Sequence, residues 1–178
     1  PPPTRKSRRG KHAENNLDLS LTKQTKMQSL RSPYYDESGK TPAARIRLAR
    51  IKKGLSIKEL SEITGISTTS ISKMENNHSR PSLPNLRTLA QALDVSVAYL
   101  GCFENLPEQT IGQRIRKARL YHGFTKEEFA QRIGVNEKTL RKWETGYFEP
   151  LPHHLDALVP HFKVLNSGQH TNQENASD

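Results

Sequence analysis

Two stretches of this chain read as versions of one another. "TGISTTSISKMENN" begins at Thr64 and "IGVNEKTLRKWETG" at Ile133. Gly54 and Gly123 lie 69 residues apart, and so do Gly65 and Gly134, Glu75 and Glu144, and Pro81 and Pro150. The same offset, with no insertion, carries Arg45-Ile46-Arg47 onto Arg114-Ile115-Arg116 and Val95 onto Val164. Solenoid units recur at shorter periods and more often, so a single repeat of this length marks a duplicated domain. Each copy spans about 55 to 60 residues, near the lower limit for a domain that folds without staples. Disulfides are not the staple, because Cys102 is the sole cysteine. That argues for a reducing compartment and against a cysteine zinc site.

The formal charge of +10 points to a polyanionic partner. Residues 1–16 carry five basic side chains and one acidic, residues 41–106 nine and five, and residues 107–165 ten and seven, so both copies and the front segment are basic. No apolar run approaches membrane-spanning length, and "PPPTRKSRRGK" lacks the hydrophobic stretch of a secretory signal. The expected organisation is a disordered basic tail over 1–40, a domain over 41–101, a linker over 102–109, a second domain over 110–165 and a disordered polar tail over 166–178. A short helical attempt around Leu17 to Leu30 is the one ordered feature expected in the first tail.

Capping chemistry divides each copy into helices. Thr41-Pro42 places an N-cap before a proline at the first helical position, and Gly54 ends that helix. Ser56 with Glu59 forms a capping box for a second helix. Gly65 supplies a tight turn, Ser67 caps a third helix, Ser82 a fourth and Ser96 a short fifth. In the second copy Thr110, Thr125 with Glu128, and Asn136 play the same parts. There Pro160 falls inside the fourth helix, where it removes a hydrogen bond and clashes with the preceding turn. The expectation is an all-α chain of about five helices and then about four, the last one shortened or kinked, with no complete fifth helix to follow.

The second and third helices of each copy share a steric pattern. Ile57, Ser61, Gly65 and Ile71 in the first copy match Lys126, Ala130, Gly134 and Leu140 in the second. The small residue lets two helices cross closely, the glycine permits positive φ in a tight turn, and the apolar residue anchors the later helix on the earlier. Such a unit holds its third helix proud of the surface.

These residues, from Ser56 to Asn76 and from Thr125 to Gly146, resemble the Cro/C1-type (XRE-family) helix-turn-helix domain of bacterial and phage repressors. The resemblance covers roughly residues 41–101 and 108–164, and it implies two tandem lambda-repressor-like domains that bind double-stranded DNA. It assigns base-edge contacts to Ser67, Thr68, Thr69, Ser72 and Lys73, then to Asn136, Glu137, Lys138, Arg141 and Lys142. Their chemistry suits the role: hydroxyls serve several base edges, Lys and Arg prefer guanine, Asn suits adenine, and Glu accepts from cytosine. Backbone phosphate contacts fall to the start of the second helix, at Ser56 and Ile57 and at Lys126, and to Asn76 and Arg80 after the third. Ile57 departs from the family, which often places Gln there; its backbone N–H remains available. The resemblance also implies structural ion pairs, Arg50 with Glu75 and Arg119 with Glu144.

Trp143, at an apolar register position, reads as core, and Cys102 as a small buried or half-buried hydrophobe. His153, His154 and His161 lack carboxylate or cysteine companions, so no metal site is expected, and no cofactor or catalytic constellation is read. The leading expectation is a DNA-binding transcriptional regulator of the cytoplasm and nucleoid. Two alternatives stand beside it: an antitoxin-like protein that also neutralises a partner protein, and a protein–protein adaptor built on the same folds. A homodimer, or a protein partner engaged through the N-terminal tail, is compatible with each.

Overall fold

The computed structural model describes residues 39–167; the Leu17–Leu30 helix, most of the 1–40 tail and most of the 166–178 tail lie outside it. The Thr41 hydroxyl accepts the Ala44 N–H at 3.2 Å and so caps helix α1 (Pro42–Lys52). Gly54 then turns the chain at φ +73°, a backbone state that disfavours any side chain with a Cβ. Helix α2 (Ile57–Thr64) begins with the reciprocal Ser56–Glu59 capping box, and Ser67 caps α3 (Thr68–Glu75). Helices α4 (Leu83–Leu93) and α5 (Val97–Gly101) complete the first domain, capped by Ser82 and Ser96. A 3₁₀ turn (Phe103–Asn105) follows.

The second domain repeats the plan with α6 (Ile111–Tyr121), α7 (Lys126–Arg132), α8 (Glu137–Glu144) and α9 (Pro152–Ser167). Thr110 and Thr125 form capping boxes with Gln113 and Glu128, and Asn136 caps α8. No strand occurs among the described residues, and the chain is an all-α tandem of two helix-turn-helix units.

Each domain buries its own core. Ile46, Leu60, Ile71, Leu89 and Leu100 are fully buried in the first; Ile115, Phe129, Leu140 and Leu158 are fully buried in the second. The last helix is not shortened, contrary to what Pro160 leads us to expect. At 16 residues α9 is longer than its counterpart α4, which has 11, and it runs through the proline into residues 166 and 167. The reason is where Pro160 sits. Both Pro160 and Asp156, whose carbonyl loses its partner, are exposed, so water can satisfy the freed group. Leu158, Phe162 and Leu165 bury the opposite side of the helix and hold it across the break.

Inside the second core, His161 packs edge-on to Phe129 (4.9 Å between centroids) and to His122 (5.3 Å). Burial, aided by the neighbouring His122 and Arg132, holds its imidazole below the ordinary histidine value. No helix among the described residues is long and apolar enough to cross a membrane.

Candidate nucleic-acid interface

Helix α3 has two faces of opposite character. Ile71, Met74 and Glu75 are buried, which fixes the helix against α1 and α2, and Thr68, Thr69 and Lys73 point to solvent. Helix α8 repeats this, with Leu140 and Trp143 buried and Asn136, Glu137, Lys138, Arg141 and Lys142 exposed.

The anchor behind each of α3 and α8 is a charge pair. Arg50 donates Nε and Nη2 to the two carboxylate oxygens of Glu75 at 2.6 and 2.7 Å, with about 3% of either side chain exposed. A third donor reaches the Leu55 carbonyl at 2.8 Å, so one guanidinium ties α1, α3 and the α1–α2 turn together. Arg119 does the same with Glu144 (2.6 and 3.1 Å) and the Phe124 carbonyl (2.9 Å). The planar fork of Arg matches a carboxylate with two parallel bonds, and lysine has no equivalent geometry.

Several exposed groups already have local partners. The Ser67 hydroxyl accepts from the Ser70 N–H (3.2 Å) and donates to the Ser70 hydroxyl (2.8 Å). Half-buried Ser72 receives the Asn76 amide on its carbonyl (2.8 Å) and its hydroxyl (3.3 Å). Asn136 spends its side-chain oxygen on the Thr139 N–H (2.7 Å) and keeps its amide donors. Arg141 lies 3.7 Å from Glu137 one turn earlier, an exposed pair of small energetic weight. Lys142 sits over the exposed rings of Phe148 (5.0 Å) and Tyr147 (5.8 Å), an aromatic pair that sequence reading did not single out.

At the start of α2, the Ser56 N–H is bound by Glu59 at 2.7 Å, and Ile57 packs against the first core. Lys126, at the equivalent place in α7, is half-buried; Arg80 is exposed on the loop after α3. That loop turns through Asn77 at φ +58°, and its repeat equivalent Gly146 turns at φ +73°.

The two domains touch through a clasp that no local spacing announces. Arg87 on α4 makes two hydrogen bonds, 3.0 and 2.8 Å, to the Glu128 carboxylate of the second domain. Glu128 is also the capping-box residue of α7, accepting the Thr125 N–H at 2.7 Å. Gly123 lies under the same contact: a Cβ there would come within 2.8 Å of the Arg87 side chain and 3.3 Å of Val97. Beside the clasp runs a cleft of about 610 Å³, lined by Leu83 of the first domain and by Arg116, Lys126, Glu137 and Arg141 of the second. The polar face of α8 thus borders the first domain.

The Arg87 guanidinium, with the Thr125 N–H, holds the Glu128 carboxyl down at about 2. A carboxylate whose folded value is depressed contributes stability above its ordinary value near 4.5, and that contribution is lost as pH falls through about 2. The side chain is 39% exposed, so screening keeps the contribution small. Domain packing is therefore expected to survive titration from pH 7 to pH 4. Glu128→Gln should loosen it at neutral pH, read as faster limited proteolysis between residues 106 and 110 with both domain cores intact. Equal cleavage rates would show that the clasp does not hold the domains.

Burial pushes the Cys102 thiol up, away from the reactive thiolate. Among the described residues no group of three His, Cys, Asp or Glu side chains stands where it could hold a metal ion.

Two helix-turn-helix units in one chain, each with a polar-faced third helix set on a buried Arg–Glu pair, define a tandem DNA-binding regulator fold. A helix-turn-helix family model (HTH_3) matches the chain twice, at residues 46–100 and 115–164. The chain belongs to this Cro/C1-type helix-turn-helix family. No curated protein and no solved structure matches it.

Proposed function

We propose that the chain is a sequence-specific regulator of transcription that lays α3 and α8 into the major groove of double-stranded DNA, in the cytoplasm and nucleoid. The observation that carries this is the pair of outward faces: Thr68 and Thr69 in the capped first turn of one helix with Lys73 in its last, and Asn136 and Lys138 at the capped start of the other with Arg141 in its last turn, all exposed. In this geometry the first turn of each helix reaches base edges, and the flanking loop with Arg80 grips phosphate.

Selection of bound sequences from random duplexes by the full chain tests the reading. Enrichment of one motif supports it; binding that is neither salt-sensitive nor sequence-selective favours an adaptor. Copurification of a toxic partner would favour the antitoxin-like alternative.

Readout and affinity should separate on mutation. Thr69→Ala is expected to change base preference at one or two positions by about 1–3 kcal/mol while leaving the salt slope nearly unchanged. Deleting residues 1–16, with their five cations, should weaken all sequences together and flatten the dependence of log K on log salt. A deletion that altered base preference and left the slope alone would contradict this division.

A further inference from the structure

The repeat offers an internal comparison at one place where the two domains differ. In the first domain the groove between α1 and α4 is filled: α5 packs on both helices and Leu100 is fully buried. Arg45, at the edge of that groove, is satisfied by what fills it. It donates to the Tyr99 carbonyl at 2.7 Å, lies 4.7 Å from the centre of the Tyr99 ring, and pairs with Glu104 just beyond. The occupant is thus a short helix with a leucine, an aromatic ring and a following carboxylate.

In the second domain the same groove lies open between α6 and α9. It measures about 380 Å³ and is lined by Ile111, Arg114, Leu155, Val159, Phe162 and Lys163. Ala90 of the first domain is 4% exposed; Val159, 69 residues on, is 54% exposed. Arg114 is the counterpart of Arg45, yet it is exposed and has no carboxylate partner among the described residues, only the Phe162 ring 4.8 Å away. Helix α9 continues past the point where α4 ends, so within the described residues nothing turns back across the groove. The sequence printed beyond it, "GQHTNQENASD", has no apolar side chain larger than Ala176.

We propose that this groove is a docking site for a short amphipathic helix of a partner protein that presents a leucine-type side chain, an aromatic ring and a carboxylate to Arg114. The first domain shows which chemistry fits, and the charge on the rim selects the sign. Arg114 and Lys163 make the rim cationic, so two copies of the groove facing each other would repel, whereas an acidic helix is attracted. Docking a helix in an apolar groove with one charged anchor is an established mode of peptide recognition. The site stands on α6 and α9, away from the reading residues of α8, and does not depend on DNA binding.

The probe is a peptide of residues 96–106, SVAYLGCFENL, carrying Cys102→Ser and titrated into the full chain. One-to-one binding is expected, with Kd on the order of 100 µM. Arg114→Glu should weaken it about tenfold, and a peptide with Glu104→Lys should recover binding to that variant and not to the parent. Because Arg114 is exposed, an unchanged melting temperature will show that the variant is folded. No binding up to about 1 mM overturns the proposal. So does binding that Arg114→Glu and Val159→Asp leave unchanged, which would place the peptide in the first domain. A concentration-dependent dimer dissolved by Val159→Asp would name a second copy as the occupant and overturn it equally.

Discussion

Glu75→Ala costs the first domain about 3–5 kcal/mol, because it strands the Arg50 guanidinium in a site where 3% of the side chain reaches water. At about 0.05–0.15 kcal/mol of stability per residue, a domain of this size has about 3–9 kcal/mol in all, so the variant loses a large fraction of it at 25 °C. The loss is not the worth of the ion pair. Bringing both charges out of water was itself costly, and an apolar replacement of both partners at once should recover much of the deficit. The expected series is therefore a severe loss for Glu75→Ala, a smaller one for Glu75→Gln, and partial recovery for Arg50→Met with Glu75→Leu. Denaturant unfolding followed at Trp143, which lies in the other core, serves as the control and should shift much less, by no more than the small share that the Arg87–Glu128 clasp contributes. A loss of only a few tenths of a kcal/mol would mean that water reaches the pair and that the anchor of α3 lies elsewhere.

How far the sequence discloses this arrangement depends on the range of the interaction. Helix starts are written locally: Thr41, Ser56, Ser67, Ser82 and Ser96 each accept a backbone N–H three residues on, and such a bond needs nothing from the rest of the chain. The outward and inward faces of α3 and α8 follow from helical periodicity. Pro160 misleads because a local rule is overridden by packing on the far side of the helix. The Arg87–Glu128 clasp is illegible for the opposite reason. The two residues are 41 positions apart, and Glu128 is already accounted for by its capping box.

Gly112 is a subtler case. It lies in the first turn of α6, where a Cβ would collide with the Trp143 carbonyl oxygen, so a glycine allows the close approach of α6 to the end of α8. The repeat equivalent is Ala43, also buried. Two small residues at one repeat position are the signal available for that contact.

Arg141→Ala combined with Lys142→Ala is expected to lower affinity for the full operator by about 10²-fold, with little change in stability since both residues are exposed. This expectation follows from the proposed function and from the difference between the two copies. Dimeric repressors place two identical readers on DNA, and their operators are palindromic as a result. Here two readers are joined in one chain and present different chemistry. Thr68, Thr69 and Lys73 stand on the first, and Asn136, Glu137, Lys138 and Arg141 on the second. The connection between them is short, and Arg87 with Glu128 fixes it further, so the second reader meets DNA at an effective concentration of about millimolar once the first is bound. One chain should then cover two unlike half-sites about one helical turn apart, near 34 Å, and the minimal operator should be asymmetric. Footprinting the parent and the double variant on such a site decides it: protection of one half-site should vanish, and the salt slope should fall by up to about 2. A palindromic site protected only by a dimer, and bound equally well by the double variant, would show that α8 does not read DNA.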